Sequence, residues 1–159
     1  MLKITFNHSS RNFTRFCQLT DKDGNIVSDS KKDRIEKKKN LAELVATHHA
    51  DNVLAVLLKS HSASVHDPNN ELVHLYEIRD ALSMRFGKAN VTKTKLSITS
   101  SQWSRFGLLC DNLPLNQGRH RGKFVGALRD ASESELTEAR RIALAMIEGY
   151  LQYLETTSK

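Results

Sequence analysis

The segment SESELTEARRIALAMIEGYLQYL, which runs from Ser132 to Leu154, has the clearest helical pattern in the chain. Ser132 and Glu135 stand three positions apart, and this spacing predicts a capping box at the start of a helix. Apolar residues then recur every three or four positions, as they do on the buried face of a helix. They are Leu136, Ala139, Ile142, Ala143, Met146, Ile147, Tyr150, Leu151 and Leu154. This apolar stripe predicts the central helix of a bundle, and a dimer interface is the alternative.

Helix signals also occur earlier in the chain. Asp67 and Pro68 are a typical helix start, because Asp caps the first turn and Pro is tolerated at the first helical position. Gly87 then predicts the end of that helix. Three further helices are predicted to begin at Asn40, Asp51 and Ser100. We therefore predict a mainly α fold, a helical bundle of about five helices over residues 41–159.

The first thirty residues have a pattern typical of β structure. Residues 2–6 alternate between apolar and polar, as in a half-buried strand. The Asp21–Asn25 segment supplies the residues that a tight hairpin turn needs. These features predict a small N-terminal β-hairpin appendage over residues 1–30, and a charged connector follows over 31–40.

Length and composition limit the class of protein. A chain of 159 residues has the size of one domain, so residues 1–159 are predicted to form a single domain. The longest apolar run, Val53–Leu58, is far shorter than the ~20 residues that cross a bilayer, which excludes a transmembrane helix. The first residues lack the apolar core of a secretion signal, and Cys17 and Cys110 form no disulfide framework. We expect a cytoplasmic protein with no membrane partner.

The net charge of +6 is unevenly distributed along the chain. Residues 99–129 contain five Lys or Arg and a single acid, whereas residues 130–159 contain three Lys or Arg and six acids. A cationic segment attracts polyanions, and nucleic acid is the commonest polyanion in a cytoplasm. RNA is favoured over DNA as the partner. The candidate nucleic-acid-binding residues are Arg105, Arg119, Arg121, Lys123 and Arg129.

The Arg-His loop, defined as Asn112–Lys123, carries the most reactive residues of the cationic segment. Cations around His120 favour a neutral imidazole, which can act as a general base on the 2′-hydroxyl of RNA. Arg119 or Arg121 would then stabilise the phosphorane, and Asn116 would orient the phosphate or the imidazole. The predicted catalytic residues are therefore His120, Arg119 and Asn116. This chemistry needs no cofactor, and the histidines lack the spacing of a metal site.

Two other interpretations fit the same region. The arginines of the loop can pair with the acidic start of the last helix, at Glu133, Glu135 and Glu138, and form a purely structural cover. The Val91–Cys110 segment also has the outline of a helix-turn-helix, which would read DNA. Neither interpretation needs a catalytic histidine.

Three segments carry a resemblance to known proteins. They are Asn70–Leu82, Trp103–Phe106 and the GRHRG segment Gly118–Gly122. Together they resemble a group of uncharacterised bacterial helical proteins, in which a helical body carries an Arg-His loop before a final amphipathic helix. The resemblance covers most of the chain and implies an architecture but no activity.

The polar loop with Arg and His before a last helix is also similar to HEPN-type domains. Many of these domains are metal-independent RNases of toxin or phage-defence systems, and they typically work as dimers with both loops facing one cleft. The resemblance implies catalysis by His120, with Arg119 and Asn116 beside it. Leu113–Leu115 stand where the HEPN motif has its Arg, so no further residue is carried over.

We expect a small basic protein that binds nucleic acid or another polyanion through the 105–129 region, in a defence or toxin context. One alternative is a HEPN-like RNase that uses His120 and Arg119. Another is a non-catalytic interaction module that forms a homodimer through its last helix. Whether the protein is an enzyme stays open at this point.

Overall fold

The computed structural model of the protein describes residues 3–7, 16–20, 23, 26–123 and 126–158. The chain divides into two compact units, Met1–Leu44 and Val45–Lys159. The organisation of residues 1–159 as a single domain stays a prediction.

Three antiparallel strands lie in the first unit. They are β1 (Lys3–Asn7), β2 (Phe16–Thr20) and β3 (Ile26–Asp29), in the order β1-β2-β3. Ile4 pairs with Leu19, and the pairing of β2 with β3 shifts register between Leu19 and Thr20. The turn predicted at Asp21–Asn25 lies mostly outside the described residues, so the hairpin with this turn stays a prediction.

Helix α1 (Ser30–Thr47) follows the strands directly. The Asp29 carboxylate accepts hydrogen bonds from the backbone N–H groups of Lys31 and Lys32, at 2.9 and 3.2 Å. An Asp in this position favours a helix because it satisfies N–H groups that have no partner in the first turn. Residues 31–40, predicted as a charged connector, are therefore helical, and the predicted cap Asn40 lies inside α1.

Five helices lie entirely in the second unit. They are α2 (Asn52–His66), α3 (Glu71–Phe86), α4 (Ala89–Leu96), α5 (Ser100–Gly107) and α6 (Glu133–Thr157). The prediction of a mainly α fold is confirmed, with six α-helices among the described residues instead of about five. In the part of the chain that the structure describes, no helix combines the length and the apolar character that a membrane span requires.

The helix starts of the second unit follow the capping residues closely. Asp51 accepts a hydrogen bond from the backbone of α2 at 2.7 Å, and the Ser132–Glu135 capping box is present at the start of α6. Asp67–Pro68 begins a short 3₁₀ turn, and α3 itself starts after it, at Glu71. Gly87 ends α3 with φ at +81°, a conformation that glycine adopts without strain.

The apolar stripe of α6 lies in the core of the second unit. α6 packs on α3 and α4. Its buried residues are Ala139, Ile142, Ala143, Met146, Ile147, Gly149, Tyr150, Leu151 and Leu154. The prediction of a buried face on this helix is confirmed. Since these side chains already pack against helices of their own chain, the stripe is not a free surface for a second copy.

Gly149 allows α6 to cross α4 at close range. A Cβ at position 149 would overlap the carbonyl oxygen of Leu96 and lie 3.1 Å from Leu96 Cα. Both are backbone atoms of a packed helix, so no side-chain rotation can relieve the contact. The chain needs a glycine here for space, although Ala has the higher helix propensity.

A Gly149→Ala variant is expected to lower the free energy of unfolding by about 2 kcal/mol, because the added methyl group overpacks the crossing. Urea denaturation measures the change. Leu144→Ala is a suitable control, since Leu144 is an exposed residue of the same helix and its truncation should cost less than about 0.5 kcal/mol. A Gly149→Ala variant as stable as the control would show that the crossing can relax.

An ion pair with one buried member joins α3 to α6. The Glu71 side chain is 5% exposed, and Arg140 donates to its carboxylate through Nε at 2.5 Å and Nη2 at 2.8 Å. Arg140 Nη1 also lies 2.8 Å from Glu133 Oε1. The hydrogen bond to Glu71, followed by the contact with Glu133, raises the pKa of the Arg140 guanidinium. Arg140 thus supplies the positive charge that the buried carboxylate needs.

Candidate functional site

A π-helical turn, Leu108–Asn112, follows α5 and sets the position of the Arg-His loop. The last carbonyl groups of a helix have no partner within the helix itself. Here Cys110 O accepts from Arg119 N at 3.0 Å, and Asp111 O accepts from His120 Nδ1 at 3.1 Å. The loop therefore folds back onto the helix end, and π turns of this kind are frequent at functional sites.

Backbone pairing also closes the base of the loop. Asn116 N donates to Arg129 O at 2.9 Å, and Arg129 N donates to Pro114 O at 3.0 Å. Leu115, between the two paired positions, is buried. These contacts give the loop a defined backbone conformation, which fixes the Cα positions of its side chains.

His120 contacts an acid rather than the cations of the loop. Its Nδ1 lies 2.8 Å from Asp111 Oδ1 as well as 3.1 Å from Asp111 O. The ring hydrogen bond goes to the backbone carbonyl, and the buried Asp111 Oδ1 forms no hydrogen bond with a described group although it lies close to the ring. The expectation of an imidazole surrounded by like charges is therefore wrong, because the folding of the loop onto the π turn brings Asp111 to the ring. With Nδ1 held, Nε2 is left for proton transfer, and the His120 side chain is 35% exposed.

Arg119 lies against α3, where an acid and an aromatic ring hold it. Its Nη1 is 2.8 Å from Asp80 Oδ2, and its Cζ is 4.8 Å from the centroid of the Tyr76 ring. The Arg79 guanidinium lies 5.3 Å from the same ring and 4.3 Å from the ring of Trp103. Aromatic rings attract cations at these distances. The guanidinium groups of Arg79 and Arg119 therefore both contact the Tyr76 ring.

Tyr76 stands at the centre of this group of charges. Burial raises the pKa of its hydroxyl, Arg79 lowers it, Asp111 and Asp80 raise it further, and Arg119 lowers it. Asp111, which lies beside His120, and Asp80, which pairs with Arg119, therefore both raise the pKa of Tyr76. The loop thus places Arg119 against Asp80 and Tyr76 of α3, and His120 against Asp111 of the π turn.

Arg121 and Lys123 belong to a short 3₁₀ turn, Arg121–Lys123, and have no acidic partner among the described residues. Arg121 Nε donates to Gly118 O at 2.9 Å, and Arg121 Nη2 donates to the side-chain oxygen of Asn70. Both acceptors are neutral, so they leave the positive charge uncompensated. Lys123 is exposed, and within the described ranges its ammonium group forms no hydrogen bond or ion pair.

Arg105 and Arg129 pair with the acidic start of α6, as the structural interpretation predicts. Arg105 Nε is 2.9 Å from Glu138 Oε2. Arg129 donates to both carboxylate oxygens of Glu135, at 2.7 and 2.8 Å. These bonds, together with the backbone N–H of Ser132, lower the pKa of Glu135 to about 2, so the carboxylate keeps its charge at neutral pH. The charges of both arginines are therefore compensated within the chain.

Asn116, the third predicted catalytic residue, contacts a different partner. Its Nδ2 donates to Asp130 Oδ1 at 2.8 Å, and Gln117 Nε2 donates to the same oxygen at 3.3 Å. Within the described residues, no contact joins Asn116 to His120. Asn116 therefore belongs to the base of the loop, whereas His120 and Arg119 lie against the helices.

Sequence reasoning missed four residues that surround Arg119 and His120. No sequence motif marks these residues, which with Arg119 and His120 form the cluster: Asp111, Asp80, Tyr76 and Arg79. Asp111 has a signal nevertheless, since it is the single acid among the cations of residues 99–129. Tyr76 and Asp80 stand four positions apart, which places them on one face of a helix. Only the fold shows that this face meets the Arg-His loop.

Metal ligation and a cysteine nucleophile add nothing to this cluster. The described ranges contain no group of His, Cys, Asp and Glu side chains that could hold a metal ion. Cys110 is buried, and burial raises the pKa of its thiol, so it stays protonated.

Comparisons with protein-family models, with curated proteins and with solved structures find no match for this chain.

Proposed function

We propose that the protein binds the phosphate backbone of RNA through Arg119, Arg121 and Lys123. The observation that supports this most directly is the uncompensated charge of Arg121 and Lys123, whose described neighbours include no carboxylate partner. Phosphate groups complement such a charge, and they contribute much of the affinity of proteins for nucleic acid.

The turn is also accessible to a polyanion. Arg121 uses two of its N–H donors within the chain, so the remaining donors of the guanidinium fork can bind a phosphate. A Cβ at Gly122 would meet nothing within 4 Å, so the backbone between the two cations borders open space. Arg119 precedes this turn in the chain, and its side chain is 43% exposed although it pairs with Asp80. A flexible single strand suits a short turn, because its phosphates can adapt to the protein.

Removal of the two charges tests the proposal. Arg121→Gln/Lys123→Gln is expected to lower the affinity for a short single-stranded RNA about tenfold at low salt. The slope of log K against log salt should become shallower by about 1.4, since each lost contact with a single strand contributes roughly 0.7. Fluorescence anisotropy at several salt concentrations measures both quantities.

A matched double variant separates local binding from net charge. Lys59→Gln/Arg141→Gln removes the same charge from exposed positions of α2 and α6, and its affinity for the RNA should change less than about twofold. Equal losses in the two double variants would contradict the proposal, as would binding that salt does not weaken.

A second candidate function is metal-independent RNA cleavage, as in HEPN-type RNases. The contacts of His120 Nδ1 favour it, because the Asp111 carbonyl holds one ring nitrogen beside a carboxylate and leaves the other nitrogen for acid–base catalysis. Nε2 would take the proton of a ribose 2′-hydroxyl, whose oxygen attacks the adjacent phosphorus. The 5′-oxygen of the next nucleotide would leave and take a proton from water, and a 2′,3′-cyclic phosphate would form. Arg119 would stabilise the charge on the phosphorane.

A further inference from the structure

Asp80 occupies a guanidinium nitrogen of Arg119 that a phosphate would also bind. Arg119 Nη1 lies 2.8 Å from Asp80 Oδ2. Carboxylate and phosphate oxygens accept from a guanidinium in the same way, and both form short charge-assisted hydrogen bonds. While Asp80 holds this nitrogen, the full guanidinium fork of Arg119 is not available to a ligand.

The Arg119–Asp80 ion pair is accessible to solvent on both sides. The Arg119 side chain is 43% exposed and the Asp80 side chain is 48% exposed. Exposed ion pairs contribute little to folding stability, and salt screens them. A phosphate can therefore displace Asp80 from Arg119 without unfolding the site, and Asp80 opposes the phosphate in turn.

Arg119 has contacts that hold it in place without Asp80. Its guanidinium lies 4.8 Å from the centroid of the Tyr76 ring, and its backbone N–H donates to Cys110 O at 3.0 Å. The other acid of the cluster, Asp111, contacts His120 instead. A change that removes only the charge of Asp80 therefore leaves Arg119 at the binding surface.

We propose that Asp80 is an internal competitor of the RNA phosphate at Arg119, and that it thereby limits the affinity of the Arg-His loop for its ligand. This inference rests on the proposed function. A neutral side chain at position 80 binds the Arg119 guanidinium more weakly than a carboxylate does, so a phosphate displaces it more easily.

An Asp80→Asn variant is expected to bind a short single-stranded RNA about three- to tenfold more tightly than the unmodified protein at low salt. Asn preserves the shape of the side chain and keeps an oxygen that can accept from Arg119. Relative to Arg119→Gln alone, the double variant Asp80→Asn/Arg119→Gln should show no gain, because the guanidinium for which Asp80 competes is then absent. Anisotropy titrations of the three variants and the unmodified protein measure the four affinities.

Glu155→Gln is the control for net charge. Glu155 belongs to the last turns of α6, whereas the Arg-His loop leads toward the first turn of this helix, which is 25 residues long. The substitution removes one negative charge, as Asp80→Asn does, and it should change the affinity for RNA less than about twofold. A gain of equal size in Glu155→Gln would overturn the inference.

The remaining outcomes separate the inference from the proposed function. A gain in Asp80→Asn that depends on Arg119 supports the inference. The inference is overturned if Asp80→Asn binds RNA no more tightly than the unmodified protein, or if the gain persists in the double variant. The proposed function still stands in that case, provided that Arg121→Gln/Lys123→Gln binds RNA weakly. An unmodified protein that does not bind RNA overturns the proposed function, and the inference with it.

Discussion

An Arg140→Met variant is expected to have a free energy of unfolding about 3 kcal/mol below that of the unmodified protein. The Glu71 carboxylate is 5% exposed, and Arg140 supplies its bidentate partner. Met fills a comparable volume but leaves the carboxylate without a compensating charge. An ion that is buried and unpaired costs more than the pair itself contributes, so removal of one partner has a large effect.

Two companion variants make the Arg140→Met measurement specific. Arg141→Met removes an exposed guanidinium from the neighbouring position and should change the free energy of unfolding by less than about 0.5 kcal/mol in urea. Glu71→Leu/Arg140→Met removes both charges and should be more stable than Arg140→Met alone. Equal stabilities of the Arg140→Met and Arg141→Met variants would show that water or another group satisfies Glu71.

The starts of α2 and α6 could be predicted from the sequence because the rules that decide them are local. The Ser132–Glu135 capping box and the cap at Asp51 depend on residues three positions apart, and both are present. The buried face of α6 follows from the spacing of its apolar residues. The same reasoning is wrong at Asn40, which lies inside α1, because the Asp29 carboxylate caps the first turn of this helix ten residues earlier.

The ion pairs of the candidate site could not be predicted in the same way, because the two members of a pair are far apart in the chain. Arg105 and Glu138 are 33 positions apart. A segment's net charge therefore does not distinguish a compensated surface from one that attracts a polyanion. The fold reduces the five candidate nucleic-acid-binding residues to two without an acidic partner among the described residues, Arg121 and Lys123, and a third, Arg119, that Asp80 holds.

The contact between His120 and Asp111 has no sequence signature either. The two residues are nine positions apart, and a π turn and a closed loop bring them together. Neither the turn nor the loop closure follows from residue periodicity. The histidine that the sequence singles out thus acquires a carboxylate partner only in the folded chain, and this partner makes a catalytic role testable.

If the protein cleaves RNA, a His120→Ala variant is expected to lose at least about 100-fold in cleavage rate, because Nε2 is the group that would take the proton of the 2′-hydroxyl. Its affinity for RNA should stay within about twofold of the unmodified protein, since Arg121 and Lys123 are unchanged. Incubation of labelled RNA in EDTA, followed by one gel that resolves both shifted and cleaved RNA, measures the two effects together.

Two further variants assign the roles of the neighbouring residues. Asp111→Asn should lower kcat about tenfold with little change in KM, because Asp111 positions the imidazole and does not touch the RNA. Asn116→Ala should cleave at the unmodified rate, since Asn116 contacts Asp130 at the base of the loop. A shift of the RNA without any cleavage by the unmodified protein would remove the RNase candidate and leave phosphate binding, because Arg121 and Lys123 carry their charge whether or not His120 is a base.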